Sequence, residues 1–477
     1  MKRFLFASLF ILLSTASFAG DGYKLTIKFS DLKDSLVYLA HYYAKPLPTL
    51  YKQDSGRIDK NGVLVLQSKE KVLGGIYIIL VQGNQRYFEV LLNNGDNMNI
   101  TANSEKLPQS IKITGSPENE RFNKYSNYLI DFGARGKKLE DELKAAKTKA
   151  DSDAVYAKGK DMSKELIDYR MNYIKEYPNS LLAKIFNAIR TPQVPEGTHY
   201  LPDGKVDSNF AYNYYKSHFW DYFDFTDDRL IHTPVYDQKL DEYFNKLLIP
   251  TPDSVEKEAD ILLAKTRGRT ELFKYTLHWI TNWAQNSKIM GLDEVFVYLV
   301  ENYHMKGDAY WMDHETLNKY IDRARKVAPN VIGNVAPELK MKDVKGVEHS
   351  LSELKAKYTL LIFWSPDCGH CMTEIPKMDS VYKAVLKKKG VKVYAVRTEG
   401  DEAKWQDFIK KNPGMEEWVN VWDPEHHSDY QSQYDVYGTP TIYLLDEKKI
   451  IRGKRLDYEN IITLLDILEN KEKKAAK

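Results

Sequence analysis

Three kinds of hydrophobic pattern follow one another along the chain. From residue 20 to about 116, apolar and polar side chains alternate, as in Tyr23-Lys-Leu-Thr-Ile-Lys-Phe29. Alternation puts every second side chain on one face of an extended strand. It predicts strands over 23–29, 63–66, 76–81, 87–92 and 98–101. Turn signals separate them at Asn61-Gly62, Gly74-Gly75 and Asn93-Asn-Gly-Asp96. A small antiparallel β-sandwich is expected.

From about 117 to 328 the alternation is lost. Residues Lys138 to Lys164 are rich in Lys, Glu, Ala and Asp, with few strand formers. That composition suits exposed helices. Pro192, Pro195, Pro202, Pro234, Pro250 and Pro252 punctuate loops within the helical region. A dense aromatic stretch from Phe210 to Phe225 reads as inter-helix packing, with a partner surface as the alternative.

From about 331 the pattern changes to α/β. Strands are predicted over 358–364, 391–398, 441–446 and 450–455, and helices over 371–388, 402–411, 428–435 and 458–470. The first two strands joined by a helix imply a parallel βαβ unit. Tyr443-Leu-Leu-Asp-Glu-Lys-Lys-Ile-Ile451 reads as a hairpin, so the sheet is mixed. The fold class is therefore multidomain. It comprises an N-terminal antiparallel β-sandwich (20–116), a central α-helical region (117–328) and a C-terminal α/β domain (331–473).

Composition narrows the setting. Lys2 and Arg3 precede an apolar stretch from Phe4 to Leu13 and small residues ending at Ala19. Residues 1–19 have the form of a signal peptide. The stretch is short against the ~20 residues of a membrane span, although an uncleaved anchor is the alternative. Export to a Gram-negative periplasm is expected. Removing Lys2 and Arg3 leaves 67 basic against 67 acidic residues, so no net field attracts nucleic acid or anionic lipid.

The chain has two cysteines, Cys368 and Cys371, in the order Cys368-Gly369-His370-Cys371. With no other thiol to pair with, they are not structural staples. They stand at the junction of the apolar run 358–364 and the helix that follows, the setting of a dithiol/disulfide reaction. Cys368 at the helix start receives backbone N–H groups and the positive end of the dipole, which favours its thiolate. It is the expected nucleophile. Cys371, one turn along, is the expected resolving thiol. His370 adds a donor. Asp367 opposes the thiolate if its charge points at Cys368. Trp364 reads as packing beneath the site. Structural zinc requires four ligands and no second C-x-x-C is present, so neither metal nor cofactor is expected.

Four pieces of sequence carry a family resemblance: Ile332-Gly-Asn-Val-Ala-Pro-Glu-Leu339, Phe363-Trp-Ser-Pro-Asp-Cys-Gly-His-Cys371, Cys371-Met-Thr-Glu-Ile-Pro376 and Tyr437-Gly-Thr-Pro-Thr-Ile-Tyr443. Over residues 331–470 the chain resembles the TlpA/ResA-like branch of the thioredoxin superfamily. The resemblance implies a thioredoxin fold and exchange of disulfides with other proteins. It implies that Pro440 is the cis-proline facing the C-x-x-C, through the Thr439–Pro440 bond. It implies that Glu374 tunes the thiols and that Pro376 kinks the active-site helix. Ile362 stands where thioredoxin itself has a buried aspartate, as in the TlpA-like branch. Asp367 stands where tryptophan is usual. The Gly369-His370 dipeptide resembles that of protein disulfide isomerase. The two preceding modules are similar to β-rich and helical modules of exported Gram-negative proteins.

A thiol–disulfide oxidoreductase is thus expected, a reductase in preference to an oxidase or isomerase. Its partners would be protein thiols and disulfides, with a membrane or periplasmic redox partner to recharge it. The competing expectation is an envelope binding or scaffold protein, its main function in residues 20–330 and its redox domain subsidiary.

Overall fold

A computed structural model describes residues 21–83 and 86–475. The expected signal peptide, residues 1–19, lies outside the described residues. The chain divides into two compact units, one reaching to Leu247 with Arg269–Leu272, the other formed by Leu248–Gly268 and the chain from Phe273 onward.

The first unit begins with eight strands, β1 (Tyr23–Phe29), β2 (Leu36–His41), β3 (Tyr51–Arg57), β4 (Val63–Ser68), β5 (Gly75–Val81), β6 (Tyr87–Leu92), β7 (Asp96–Ala102) and β8 (Lys112–Thr114). They form two four-stranded sheets, β4-β1-β7-β8 and β3-β2-β5-β6. Leu25, Ile27, Leu39, Ile79, Val90 and Met98 fill the core shared by the two sheets. All pairs run antiparallel except β1 and β7, which are parallel. The alternation in Tyr23–Phe29 places Tyr23, Leu25, Ile27 and Phe29 inward. Strands β2, β3 and β8 were not foreseen. β3 is a polar edge strand with no inward apolar face, so pairing rather than periodicity defines it.

Two long helices follow, Pro117–Ala145 and Lys149–Glu176. Ser116 caps the first, and Thr148 with Asp151 forms a capping box on the second. The Lys/Glu-rich stretch 138–164 is thus two helices separated by a short turn. Of the aromatic stretch, Phe219, Trp220, Phe223 and Phe225 are buried, with Trp220 edge-on to Phe219 at 5.0 Å, as packing requires.

The second unit carries helices Pro252–Thr266, Asp293–Leu299 and His314–Val327, then a seven-stranded mixed sheet. Its strands are β9 (Lys340–Lys342), β10 (Glu348–Ser350), β11 (Tyr358–Trp364), β12 (Val391–Arg397), β13 (Val419–Trp422), β14 (Thr441–Asp446) and β15 (Ile451–Lys454), in the order β10-β9-β13-β12-β11-β14-β15. β11 is buried throughout, between parallel β12 and antiparallel β14. This explains its unbroken apolar sequence. On one face Ile362, Trp364, Trp405 and Leu465 pack with the helices Gly369–Val381, Glu402–Lys411 and Asn460–Ala475. On the other, Leu361, Phe363 and Tyr394 pack with Tyr430 and Tyr434. The helix expected over 371–388 is α-helical over Gly369–Val381 and then widens into a π turn at Tyr382–Leu386. That expected over 428–435 is reduced to Tyr430–Gln433. Among the described residues no helix is long and apolar enough to cross a membrane.

One buried charge ties this unit together. Lys454, on edge strand β15, is 3% exposed. Its ammonium pairs with Asp293 and donates to Asn330 Oδ1 at 2.6 Å and to the Asn330 carbonyl at 3.0 Å. Removing one partner of a buried pair leaves an uncompensated charge, which typically costs 3–5 kcal/mol. Asp293→Ala is therefore expected to destabilise this unit by about 3 kcal/mol in chemical denaturation. A loss below ~1 kcal/mol would mean that Asn330 alone satisfies the lysine.

Candidate active site

The C-terminal end of β11 determines where the cysteines lie. After Trp364 the chain turns through Ser365-Pro366-Asp367 and enters the helix Gly369–Val381, with Cys368 as its N-cap. The turn is closed by the amide of Cys368 donating to the Ser365 carbonyl at 3.3 Å and the amide of Asp367 donating to Ser365 Oγ at 3.1 Å. Gly400 approaches this turn with φ +95, and a Cβ there would meet Asp367 Oδ2 at 2.8 Å and Pro366 Cγ at 2.9 Å. Glycine is required by both the conformation and the space.

Cys368 Sγ accepts the amide of Cys371 at 3.3 Å and, as a thiol, donates to the Thr439 carbonyl at 3.1 Å. Both cysteines are free thiols, Cys368 partly exposed and Cys371 buried. Their acidities diverge. Partial burial pulls Cys368 upward, but hydrogen bonding from Cys371 and Thr439 and from the amides of Cys371 and His370 outweighs it, leaving the thiol below its ordinary value. Burial, followed by interaction with Cys368, pushes Cys371 up to about 12.

The Thr439–Pro440 bond is cis. Thr439 and Pro440 line an open cleft with His370, Glu374, Leu456, Asp457, Tyr458 and Glu459. Glu374 points into this cleft, with Lys377 Nζ at 3.6 Å. Lys377 in turn donates to Tyr458 Oη at 3.3 Å. Among the described residues no hydrogen bond joins Glu374 to either cysteine. Gly369 and His370 are exposed at the helix start, and a Cβ on Gly369 would meet open space. Trp364 is fully buried, its ring 5.0 Å from that of Phe408, in the same core cluster as Cys371.

Asp367 differs from the simplest expectation. It is exposed and accepts a hydrogen bond from Lys404 Nζ at 2.6 Å. That hydrogen bond is the main cause of its lowered pKa. The carboxylate is thus held by a cation rather than left to oppose Cys368. Lys404 was not foreseen, because it lies on another helix and nothing in its local sequence marks it. Arg397 was also missed. It is buried beside Trp364 in the β11–β12 register and stacks on Trp422 at 4.1 Å and Trp405 at 4.8 Å.

A partly exposed thiol capping a helix, a buried thiol one turn on and a cis-proline loop against the first define a thioredoxin-like thiol–disulfide oxidoreductase. The comparisons agree. Residues 332–454 match the AhpC/TSA family. Residues 23–122 and 169–330 match two families described as domains of unknown function, DUF4369 and DUF5106. Thiol-disulfide oxidoreductase ResA of Geobacillus kaustophilus is 30% identical over 126 residues, which are 26% of this chain and 70% of that protein. ResA of Bacillus subtilis is 31% identical over 139 residues, 27% of this chain and 75% of that protein. A solved domain of a possible thiol-disulfide isomerase from Cytophaga hutchinsonii is 39% identical, covering 31% of this chain and 99% of that one, with a TM-score of 0.29. The chain belongs to the ResA-like thiol–disulfide oxidoreductases and is an enzyme of that class.

The divergent acidities predict a selective reaction. Iodoacetamide applied to the reduced protein near neutral pH should modify Cys368 and spare Cys371, whose thiol stays protonated until the pH approaches about 12. Peptide mapping reads the site. Faster labelling of Cys371 would reverse the two roles.

Proposed function

We propose that this chain is an exported enzyme that reduces disulfides in other proteins through Cys368-Gly369-His370-Cys371. The observation that carries the reading is the unequal treatment of two thiols three residues apart. Cys368 is lowered and partly exposed, whereas Cys371 is buried and raised to about 12.

Cys368 as thiolate attacks one sulfur of a substrate disulfide. A mixed disulfide forms, and the substrate's other sulfur leaves as a thiolate that takes up a proton. Cys371 then loses its proton and attacks Cys368 Sγ. This forms the Cys368–Cys371 disulfide and releases the second substrate thiol. Two electrons pass from the enzyme to the substrate. The chain has no other cysteine, so an external dithiol donor, membrane-bound or periplasmic, must restore the reduced form.

In this reading Glu374 accepts the Cys371 proton during resolution, supported by its place in the cleft three residues along the helix. Pro440 and Thr439 hold an extended substrate against Cys368. Gly369 keeps the approach open, His370 supplies its amide to the thiolate, and Trp364 supports the turn from below. Asp367, paired with Lys404, keeps its charge from the nucleophile. Export rests on the leader at residues 1–19. The proposed organisation is a β-sandwich over 20–116, a helical domain over 117–328 and the redox domain over 331–473. The change from strands ending at Thr114 to helices from Pro117, and back to strands from Lys340, supports it.

Three outcomes test the reading. Cys368→Ser should abolish insulin reduction, and Cys371→Ser should accumulate mixed disulfides that non-reducing electrophoresis displays. Glu374→Gln should shift the pH dependence of resolution without lowering thermal stability; an unchanged profile would make Glu374 an ordinary surface carboxylate. Equilibration against dithiothreitol or glutathione buffers should place the potential between the ~−270 mV of thioredoxin and the ~−120 mV of DsbA. A value at the DsbA end would make the enzyme an oxidase.

A further inference from the structure

Within the second unit, the cleft beside Cys368, lined by His370, Thr439 and Pro440, continues beyond its far rim. Leu456, Asp457 and Glu459 form that rim and also line a second trough, which runs between the segment Ser287–Asp293 and the helix Asn460–Ala475. Ile289, Met290 and Ile467 line this trough while remaining 46%, 41% and 47% exposed. Single exposed aliphatic side chains are ordinary, but three in one concavity joined to a reactive cleft are not.

The trough is braced rather than collapsed. Met290 Sδ accepts the Lys454 amide at 3.5 Å, and Asp293 holds the buried Lys454 ammonium. Gly291, at φ +95, turns the segment between them. The walls carry both signs of charge, Lys288 and Arg455 against Asp457 and Glu459. A strongly charged ligand therefore gains nothing there, and apolar surface is what remains to be recognised.

We infer that this trough docks an aliphatic stretch of the substrate polypeptide flanking its disulfide. The inference rests on the reading of Cys368 as nucleophile toward protein disulfides. A substrate with its sulfur at Cys368 whose chain runs past Thr439 and His370 enters the cleft, and the shared rim passes it to Ile289, Met290 and Ile467. Exposed aliphatic segments are a property of unfolded or mispaired proteins, so the trough selects those over folded ones and over small disulfides.

The test uses the full chain with Ile289→Asp, Ile467→Asp and the pair combined; both side chains are half-exposed, so the substitutions spare the core. Reduction of a disulfide-linked peptide with Leu-rich flanks is compared with reduction of oxidised glutathione. The combined variant should lose about tenfold in kcat/KM on the peptide, mostly through KM, the equivalent of one buried aliphatic side chain. Oxidised glutathione should change less than twofold. A cysteine-free peptide of the same flanks should bind a Cys368→Ser/Cys371→Ser protein in calorimetry and fail to bind once Ile289→Asp and Ile467→Asp are added. Unchanged peptide kinetics, or no binding of the cysteine-free peptide, overturns the proposal. Binding without any disulfide reduction by the wild type would overturn the redox reading and leave the trough standing. A dimer in sedimentation that Ile467→Asp dissolves, with no peptide binding, would make a second copy the occupant and overturn it equally.

Discussion

The amide of Cys371 reaches Cys368 Sγ at 3.3 Å because a strand buried on both faces ends where a helix begins. β11 cannot shift without exposing Leu360, Ile362 and Trp364 on one side or Leu361 and Phe363 on the other. A slip of a single residue would exchange the two sets. The register with β12 and β14 therefore also determines the first turn of the helix, and with it the free amides that face the sulfur. The chemistry depends on the packing of a strand that contains no reactive group.

Two identical side chains become different reagents through position alone. Cys368 stands outside the helix, where unsatisfied amides favour its thiolate. Cys371 lies one turn inside, in the core cluster that holds Trp364 and Ile375, where burial disfavours its charged form. The first is the more acidic thiol. Lys404 completes the arrangement by engaging Asp367, so the carboxylate next to Cys368 in sequence is paired rather than free.

Elements that precede the redox sheet in sequence are bound into the same unit by charge. Lys454 joins β15 to Asp293 and Asn330. Arg323, on the helix His314–Val327, makes a two-pronged pair with Asp435. The same guanidinium stacks over Tyr437, two residues before the Thr439 carbonyl that meets Cys368. The helix thus braces the approach to the cis-proline loop. Planar guanidinium suits this double duty, since it pairs with carboxylate along its edge and stacks through its face.

The sequence by itself determined the order of β, helical and α/β patterning, the strands with a clear inward face, and the dithiol at a strand-to-helix turn. These are local demands, because periodicity records which face of each segment is buried. It did not disclose β3, whose polar residues show no alternation, or β13, whose four residues are too few to show one. Nor did it disclose that Lys404 meets Asp367 across 37 positions, that Arg397 is sandwiched by Trp405 and Trp422, or that Ile289 and Ile467 line one trough. Only the tertiary structure decided those. A charge or an exposed aliphatic side chain leaves no trace in the pattern around it, and its partner is chosen by how distant segments pack.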